Sequence, residues 1–364
     1  MAKILGFGEV MLRLAPEGFK RLRQVLPGSL VATFGGGEAN VCASLAMFGD
    51  EAEYLTALPA NSISESFFAQ MKGLGVGVSN IVLKENSRMG IYFVEAGANQ
   101  RPSNVVYDRA YSAVSMTGAD EYDYDKALAD VKHVHITGIT PSLSKEAFEA
   151  TLELAKRAQA AGAKVSCDLN YRKKLWNWHE TMKKNELAAH CMGQIVPFVD
   201  IIIANEEDAA DVFGIKAAHT DLTKGKVDAE AYISVAKQLV ERFPNVSKVA
   251  ITLRESISAS HNNWGAMLYN ATDEQAHFAP TNAEGEYTPY EIRNIVDRVG
   301  GGDSFGAGLI HALYSEDCSE PENAIRFAVA ASCLKHSVSG DFNYVTRSEV
   351  LNLMKGDASG RVKR

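Results

Sequence analysis

The sequence predicts an α/β fold with a mostly parallel sheet, helices on both faces of it, and a small accessory sheet. From about residue 124 onward, short β-rich apolar runs alternate with helical segments. Such alternation is typical of a parallel sheet covered by helices. Two clusters of short predicted strands, within residues 11–34 and 79–111, stand apart from this pattern. The composition, with 46% hydrophobic and 23% charged residues, is that of a globular protein.

The first third of the chain mixes short strands with two helices. We predict a buried strand at Lys3–Gly8, a strand at Glu53–Leu58, and helices at Asn40–Phe48 and Ser62–Leu74. Pro and Gly residues separate the remaining short runs, which are rich in β-branched or aromatic residues. These predicted strands are Leu12–Leu14, Arg21–Gln24, Val31–Phe34, Ile81–Leu83, Gly90–Glu95 and Ser103–Tyr107. We expect them to form a lid over the main domain.

The remaining two thirds alternate between strands and helices. The predicted strands are His133–Thr137, Lys164–Asp168, Ile201–Ala204 and Val249–Leu253. The predicted helices are Lys145–Ala161, Glu206–Phe213, Asp228–Arg242, Ser304–Tyr314 and Pro321–His336. Residues 215–227, 255–263 and 281–292 are predicted to be insertions or long loops. Because α/β folds of this size often form one unit, we predict a single domain over residues 1–364.

Charge and cysteine content exclude several classes of protein. The net charge is −8, from 45 acidic and 37 basic residues without a long basic run, which argues against nucleic-acid binding. The five cysteines are scattered and form no CxxC pair, so zinc and disulfide frameworks are not expected. There is no run of 18 apolar residues and no leader with a cleavage site, so we predict a cytoplasmic protein without a membrane span.

The most informative segment is the glycine-rich stretch Asp297-Arg-Val-Gly-Gly-Gly-Asp303, which precedes an apolar helix. Bare backbone amides at a helix amino terminus form an anion site. An ionised Asp303 beside such a site is suited to take a proton from a hydroxyl that attacks phosphorus. The alternative is an ordinary turn with Asp303 as the N-cap. The spacing matches neither GxGxxG nor the P-loop pattern.

A second glycine-rich segment, Gly35-Gly-Gly-Glu-Ala-Asn40, also precedes a predicted helix. The glycines allow a small ligand to approach the backbone, and Asn40 offers a polar amide to it. The alternative is a strand-to-helix turn capped by Asn40.

Together, Gly35–Asn40 and Asp297–Asp303 resemble the two signatures of the ribokinase-like (PfkB) carbohydrate kinases, in the same order and at a similar separation. The resemblance extends over essentially the whole chain. Further stretches are similar to the 2-keto-3-deoxygluconate kinases of that family, and the one at 101–109 discriminates best. These stretches are Gly8–Leu14, Arg88–Phe93, Arg101–Arg109, Asp168–Arg172 with Leu175-Trp176, and Leu334–Asn343.

The resemblance implies a ribokinase-like fold and roles for the glycine-rich stretch. Asp303 matches the general base of the family, and Gly300, Gly301 and Gly302 match its anion hole. The usual family pattern is D-T-T-G-A-G-D, whereas this chain has Arg298 and Val299 in place of the threonines. Arg298 either replaces a threonine contact to phosphate or points to solvent. The backbone donors of the anion hole are unaffected.

The resemblance also implies ATP and Mg²⁺ as cofactors. Asn205 and Asp208 are similar to the ends of the N-x-x-E motif near the phosphates, and Asp208 is expected to bind Mg²⁺ through water because Mg²⁺ keeps several waters. The alternative is an acidic first turn of a helix. Thr252 and Arg254 are the expected nucleotide-side residues. The expected substrate contacts are Gly36, Asn40, Tyr92, Tyr107, Arg109, Arg172 and Asp341.

These roles predict ATP-dependent phosphorylation of 2-keto-3-deoxygluconate to its 6-phosphate. Arginine suits a carboxylate because it binds one bidentately, so Arg109 and Arg172 favour a sugar acid. One alternative is a kinase of the same family that acts on a neutral sugar, of the fructose or ribose type. Another is a non-catalytic sugar-acid sensor. A homo-oligomer that associates through the lid is also expected.

Overall fold

The computed structural model describes residues 2–205, 207–216 and 229–356. The strands are β1 Lys3–Phe7, β2 Met11–Ala15, β3 Val31–Gly35, β4 Glu51–Leu55, β5 Ala57–Pro59, β6 Val82–Lys84, β7 Gly90–Glu95, β8 Asn104–Asp108, β9 His133–Thr137, β10 Lys164–Asp168, β11 Ile201–Ala204, β12 Lys248–Ser258, β13 His261–Asn270, β14 Gln275–Ala279 and β15 Tyr290–Ile292. The α-helices are α1 Leu22–Val25, α2 Gly37–Phe48, α3 Ser62–Gly73, α4 Tyr124–Ala127, α5 Lys145–Ala160, α6 Lys184–Ile195, α7 Asp208–Phe213, α8 Ala229–Arg242, α9 Gly301–Leu313, α10 Pro321–Lys335 and α11 Arg347–Met354.

A nine-stranded sheet forms the centre of the molecule. Its strand order is β14-β13-β12-β11-β10-β9-β1-β4, and β15 pairs with β13. The pairs β12–β11, β11–β10, β10–β9, β9–β1 and β1–β4 are parallel. The pairs that β13 forms with β12, β14 and β15 are antiparallel. The prediction of an α/β fold with a mostly parallel sheet and a separate small sheet is therefore confirmed.

Each face of the main sheet carries its own apolar core. Strand β11 shows the reason, since all four of its residues are buried and alternate ones join opposite cores: Ile202 packs on one side, and Ile201 and Ile203 pack on the other. Helices α5, α6 and α8 cover the first face, and α2, α3, α9 and α10 cover the second. A strand buried on both faces needs a continuous apolar run, which is what the sequence has here.

The accessory sheet, which we call the lid, consists of four strands in the order β3-β2-β7-β8. Strand β2 pairs antiparallel with β3 and parallel with β7, and β7 pairs antiparallel with β8. The predicted lid ranges contain these strands to within one residue. The small predicted strand at 81–83 lies elsewhere, because β6 pairs with β5. The predicted strand at 53–58 is two strands in the structure, because β4 pairs with β1 and β5 pairs with β6.

Two predictions of local structure are wrong. Arg21–Gln24 is predicted as a strand, but residues 22–25 form the short helix α1, and the Gln24 side chain accepts a hydrogen bond from the Arg21 amide. Residues 255–263 are predicted as an insertion or long loop, but they form the far half of the β12–β13 hairpin, with pairing continued to Ser258 and His261. The polar residues that suggested a loop belong to strands extending beyond the core.

Some predicted features lie outside the described residues. These are the starts of two helices, Glu206 and Asp228, and most of the predicted insertion at 215–227. Strand β15 lies within the predicted insertion 281–292. Within the described ranges, no helix combines the length and apolar character that a membrane crossing requires.

Candidate active site

A cavity of about 350 Å³ lies between the lid and the carboxyl ends of the parallel strands. Ligand sites of open α/β sheets form at this edge. Every residue that the sequence analysis singled out as a site residue lines this cavity: Gly36, Asn40, Tyr92, Tyr107, Arg109, Arg172, Asn205, Asp208, Thr252, Arg254, Gly300, Gly301, Gly302, Asp303 and Asp341. The structure thus brings these residues together, and their individual roles remain predictions.

The glycine turn at 300–302 starts helix α9 and faces the cavity. Gly300 is the N-cap and has a left-handed backbone with φ of 82°, a conformation that favours glycine. A Cβ atom on Gly300 would collide with the backbone carbonyl of Asp341. Gly301 and Gly302 occupy the first turn, where backbone amides have no acceptor within the helix, and the Gly301 amide makes only a long hydrogen bond of 3.4 Å to the carbonyl of Arg298. The turn therefore offers the geometry of an anion site.

Asp303 lies one residue beyond these glycines and does not cap the helix, since Gly300 does. The Asn40 amide donates a hydrogen bond of 2.6 Å to Asp303 Oδ2. This bond joins the two glycine-rich segments across the cavity. Removal from bulk water raises the pKa of Asp303 to about 6, and the Asn40 hydrogen bond opposes the rise. The carboxylate is therefore mostly ionised at neutral pH.

This pKa predicts an acidic limb in the pH profile. If Asp303 acts as a base, only its ionised form works, so activity is lost as the pH falls through about 6. The limb lies well above the ordinary range of an aspartate. The measurement is kcat/KM from about pH 3.5 to 8 for the parent and for Asn40→Ala. Losing the Asn40 hydrogen bond should move the limb to higher pH. A limb near pH 4 in both proteins would contradict the assignment.

A largely buried network of charges connects the lid to the main domain at one end of the cavity. Arg13 Nη1 donates to Asp341 at 2.7 Å, and Arg13 Nη2 donates to Asp297 at 2.6 Å. The Tyr92 hydroxyl donates to the same oxygen of Asp341 at 2.6 Å. Arg13 and Tyr92 come from the lid, and Asp297 and Asp341 come from loops of the main domain. The network fixes the lid over the cavity.

The two predicted arginines differ in their surroundings. Arg109 is buried, and its Nε donates to Glu9 at 2.7 Å while its Nη2 also contacts that carboxylate. Arg172 is exposed, and its Nη1 donates to the backbone carbonyl of Tyr171 at 3.3 Å. The Glu9 carboxylate therefore already binds one edge of the Arg109 guanidinium, the edge formed by Nε and Nη2. Among the described residues Arg172 forms no close ion pair, but its positive charge lowers the pKa of the nearby carboxyls of Asp168, Asp208 and Asp303.

Acidic side chains gather at the carboxyl ends of β10 and β11. The Asp208 carboxylate accepts the amides of Asn205 and Tyr171, each at 3.0 Å. The Asn205 side chain in turn accepts the amide of Asp208, which is the helix-start arrangement weighed above. Burial raises the pKa of Asp168 well above its usual range, and the negative charges of Asp208 and Asp303 add to this rise. A cation at this place would relieve the repulsion.

Thr252, Arg254 and Arg298, the first two of them predicted to face the nucleotide, also line the cavity. Thr252 is buried and points its hydroxyl to the carbonyl of Ala204 at 3.5 Å. Arg298 is half-buried, and its Nη2 donates to the carbonyls of Ser258 and Ala259 at the tip of the β12–β13 hairpin. Arg298 therefore does not simply point to solvent. The apolar residues 328–333 lie in helix α10 and are not among the residues that line the cavity.

Sequence reasoning missed four charged residues of this site, although each lies in or beside a stretch that it quoted. Glu9 and Arg13 lie within Gly8–Leu14, and Asp168 begins the stretch that contains Arg172. Glu38 lies between Gly36 and Asn40, buried, and accepts hydrogen bonds from two threonines, Thr137 at 2.8 Å and Thr140 at 3.2 Å. Burial raises the pKa of Glu38 to about 7. Only the fold reveals that these residues converge.

Comparisons with known proteins match the whole chain. The family model described as pfkB family carbohydrate kinase matches residues 1–345. A crystal structure of 2-dehydro-3-deoxygluconokinase from Thermotoga maritima is 41% identical, with a TM-score of 0.86, over 98% of this chain and 100% of that one. A 2-dehydro-3-deoxygalactonokinase from Haloferax volcanii is 29% identical over 99% of this chain and 98% of its own.

A further solved structure bears on the fold alone. It is a putative Ribokinase II from E. coli in complex with ATP and Mg²⁺, 16% identical, with a TM-score of 0.74 over 98% of this chain and 100% of that chain.

Proposed function

Because the chain belongs to the pfkB family of carbohydrate kinases, we propose that it transfers a phosphoryl group from ATP to 2-keto-3-deoxygluconate. This compound is also called 2-dehydro-3-deoxygluconate, and the Thermotoga relative is named as its kinase. The product is the 6-phosphate. The Haloferax relative is named for the galactonate epimer, which makes that epimer the second candidate substrate.

The observation that carries the proposal is the position of Asp303 beside the glycine turn. Asn40 orients its carboxylate from the opposite wall. Asp303 accepts the proton of the terminal hydroxyl while the oxygen attacks the γ-phosphorus of ATP. The bond from that phosphorus to the bridging oxygen breaks, and ADP leaves. The turn amides stabilise the charge on the transferring group, and positioning supplies most of the remaining rate.

Recognition of the sugar acid is proposed to rest mainly on Arg172. Its guanidinium is in no close ion pair among the described residues, whereas that of Arg109 is already paired with Glu9. Arg109 then contributes the remaining edge of its guanidinium and holds the end of β8 near the cavity. Tyr107 lies under this arginine, with its ring centroid 5.3 Å from Arg109 Cζ. Tyr92, Gly36 and Asp341 are proposed to contact the sugar. A neutral sugar would offer Arg172 no carboxylate to bind.

Mg²⁺ is proposed to bind beside Asp208 and Asp168. Both carboxyls have a raised pKa, caused first by burial and, for Asp168, by nearby negative charges. A divalent cation would offset this repulsion and neutralise charge on the phosphates. Both oxygens of Asp208 already accept backbone amides, which suits contact through the waters that Mg²⁺ retains. Asn205 holds the loop in place.

This assignment predicts a changed metal requirement. Replacing Asp208 by alanine should raise the Mg²⁺ concentration for half-maximal activity, since one carboxylate beside the ion is lost. The measurement is a Mg²⁺ titration at saturating ATP. Asp211→Ala, on the same helix, is the matched control and should behave like the parent. If the Asp208→Ala titration overlays the parent's, the residue only organises the start of α7.

A homo-oligomer formed through the lid is also part of the proposal. The face of the lid away from the cavity carries an apolar row across four strands, because the strand register aligns Leu14 with Ala32 and Phe93, and Phe93 with Val106. Val106 is 47% exposed. A second copy of this face would cover the row.

Val106→Glu therefore tests the oligomer. It should shift the mass measured by light scattering from an oligomer to the monomer, because a charge in an apolar interface is costly to bury. Lys84→Glu, outside the lid sheet, serves as the control. A monomeric parent would refute this part of the proposal without touching the kinase assignment.

The decisive experiment for the function is an ADP-release assay of the purified protein. The acceptors are 2-keto-3-deoxygluconate, its galactonate epimer, gluconate, fructose and ribose, each with ATP and Mg²⁺. We expect the two ketodeoxy acids to give the highest kcat/KM. A clear preference for fructose would replace the proposal with a neutral-sugar kinase. ATP binding and sugar-acid binding without turnover would indicate a sensor.

A further inference from the structure

Lys335, at the end of helix α10, is fully buried, with 0% exposure. Its ammonium donates hydrogen bonds to the carbonyls of Val338 at 3.1 Å and Gly340 at 2.8 Å. Among the described residues it forms no ion pair. Lysine is almost never fully buried unless its charge has a partner. Two carbonyl dipoles alone are an unusual environment for an ammonium group, so its position calls for an explanation.

The lysine lies directly against the glycine turn. A Cβ atom on Gly300 would come within 3.2 Å of Lys335 Cε. Gly300 lines the cavity and Lys335 does not, so the lysine supports the turn from its protein side. Burial lowers the pKa of Lys335 below its ordinary value, and the charge of Arg13 adds to this fall, while the negative charges of Asp297, Asp341 and Asp303 oppose it. These three carboxylates favour the charged form.

We propose that Lys335 is a positioning residue for phosphoryl transfer, a fixed internal cation that supports the anion-binding turn and holds residues 338–340 against it. The proposal rests on the proposed function, since it gives the turn a phosphoryl group to bind. A fixed charge within the protein acts more strongly than one in water and needs no reorganisation during the reaction. Its hydrogen bonds also fix the segment that leads to Asp341.

Lys335→Met is the informative variant, because it keeps the length of the buried stem and removes the charge. We expect kcat to fall by about 10- to 100-fold, less than the loss caused by removing a direct anion-hole donor. KM for the sugar should change by less than about threefold. The same variant should bind inorganic triphosphate about tenfold more weakly by calorimetry. Lys126→Met, which removes another lysine that donates to a backbone carbonyl, should leave all three values unchanged.

Chemical rescue separates charge from packing. In Lys335→Ala, methylammonium should restore part of kcat, whereas methanol, of similar size and neutral, should not. Restoration by both or by neither would assign the lysine to packing and overturn the proposal. Unchanged triphosphate affinity in a folded Lys335→Met protein would also overturn it. That binding measurement needs no sugar, so it decides the role of Lys335 even if the acceptor screen finds no kinase activity.

Discussion

Replacing Asp303 by asparagine is expected to lower kcat by about 10²- to 10⁴-fold, the usual effect of losing a positioned base. Asparagine keeps the shape of the side chain and can still accept the hydrogen bond from Asn40. The variant should therefore bind ATP and the sugar acid with affinities close to those of the parent. The measurements are kcat by ADP release and both dissociation constants by calorimetry.

The melting temperature of the Asp303→Asn variant provides the control for misfolding. Asp303 has a raised pKa because the protein opposes its ionisation, so stability falls as pH rises from the ordinary aspartate value towards about 6. A neutral asparagine avoids that loss, and the melting temperature at pH 7 should not decrease. Inactivity with an intact melting temperature supports the base role. A near-normal kcat would remove Asp303 from that role.

The second large effect is expected from Arg172. A hydrogen bond to a charged group contributes about 1.5–3 kcal/mol, which corresponds to about 10- to 150-fold in binding. Arg172→Ala should therefore raise KM for 2-keto-3-deoxygluconate by this factor and leave KM for fructose nearly unchanged. The neighbouring exposed residue Lys173 supplies the control, since Lys173→Ala should not discriminate between the two acceptors. Equal losses on both acceptors would assign Arg172 to ATP or to structure.

Arg109→Ala should show a similar acid-specific loss with an added effect on stability. It leaves the buried Glu9 carboxylate without its partner, and breaking a buried pair typically costs about 3–5 kcal/mol. The double variant Glu9→Gln with Arg109→Met removes both charges and should recover much of the melting temperature. Recovery of stability without recovery of acid preference would separate the two roles of Arg109.

The sequence was sufficient to predict the fold and about half of the residues that line the cavity. Two glycine-rich segments predicted helix starts. Positions such as Gly300 have a left-handed backbone and a close neighbour that would collide with a side chain, so they require glycine. Continuous apolar runs such as Ile201–Ile203 predicted strands buried on both faces. The polar half of the β12–β13 hairpin was not predicted as strand because backbone pairing between the two strands holds it in place, and not the burial of apolar side chains. The alternation of apolar and polar residues is weak in this half of the hairpin, so only its pairing with the partner strand shows that it is β-structure.

Partners that are distant in sequence were not predictable. Nothing local links Arg13 to Asp341, or Glu9 to Arg109, although these pairs fix the lid and the arginine. Lys335 reads as an ordinary charged residue at a helix end, where lysine is common. Its burial depends on the loop that follows and on the turn at 300. Sequence patterns report which face of an element is apolar, and they do not report which charges meet after folding.

The ion pair between Arg13 and Asp341 joins residues 328 positions apart. During synthesis on the ribosome, domains acquire structure from the amino terminus onward at about 5–20 residues per second. Asp341 is therefore synthesised some tens of seconds after Arg13 of strand β2. Until Asp297 and Asp341 have both been made, the nascent chain lacks a full set of partners for Arg13, and the cavity has no completed wall. Activity should appear only after nearly all of the described chain has emerged, and not in proportion to its length.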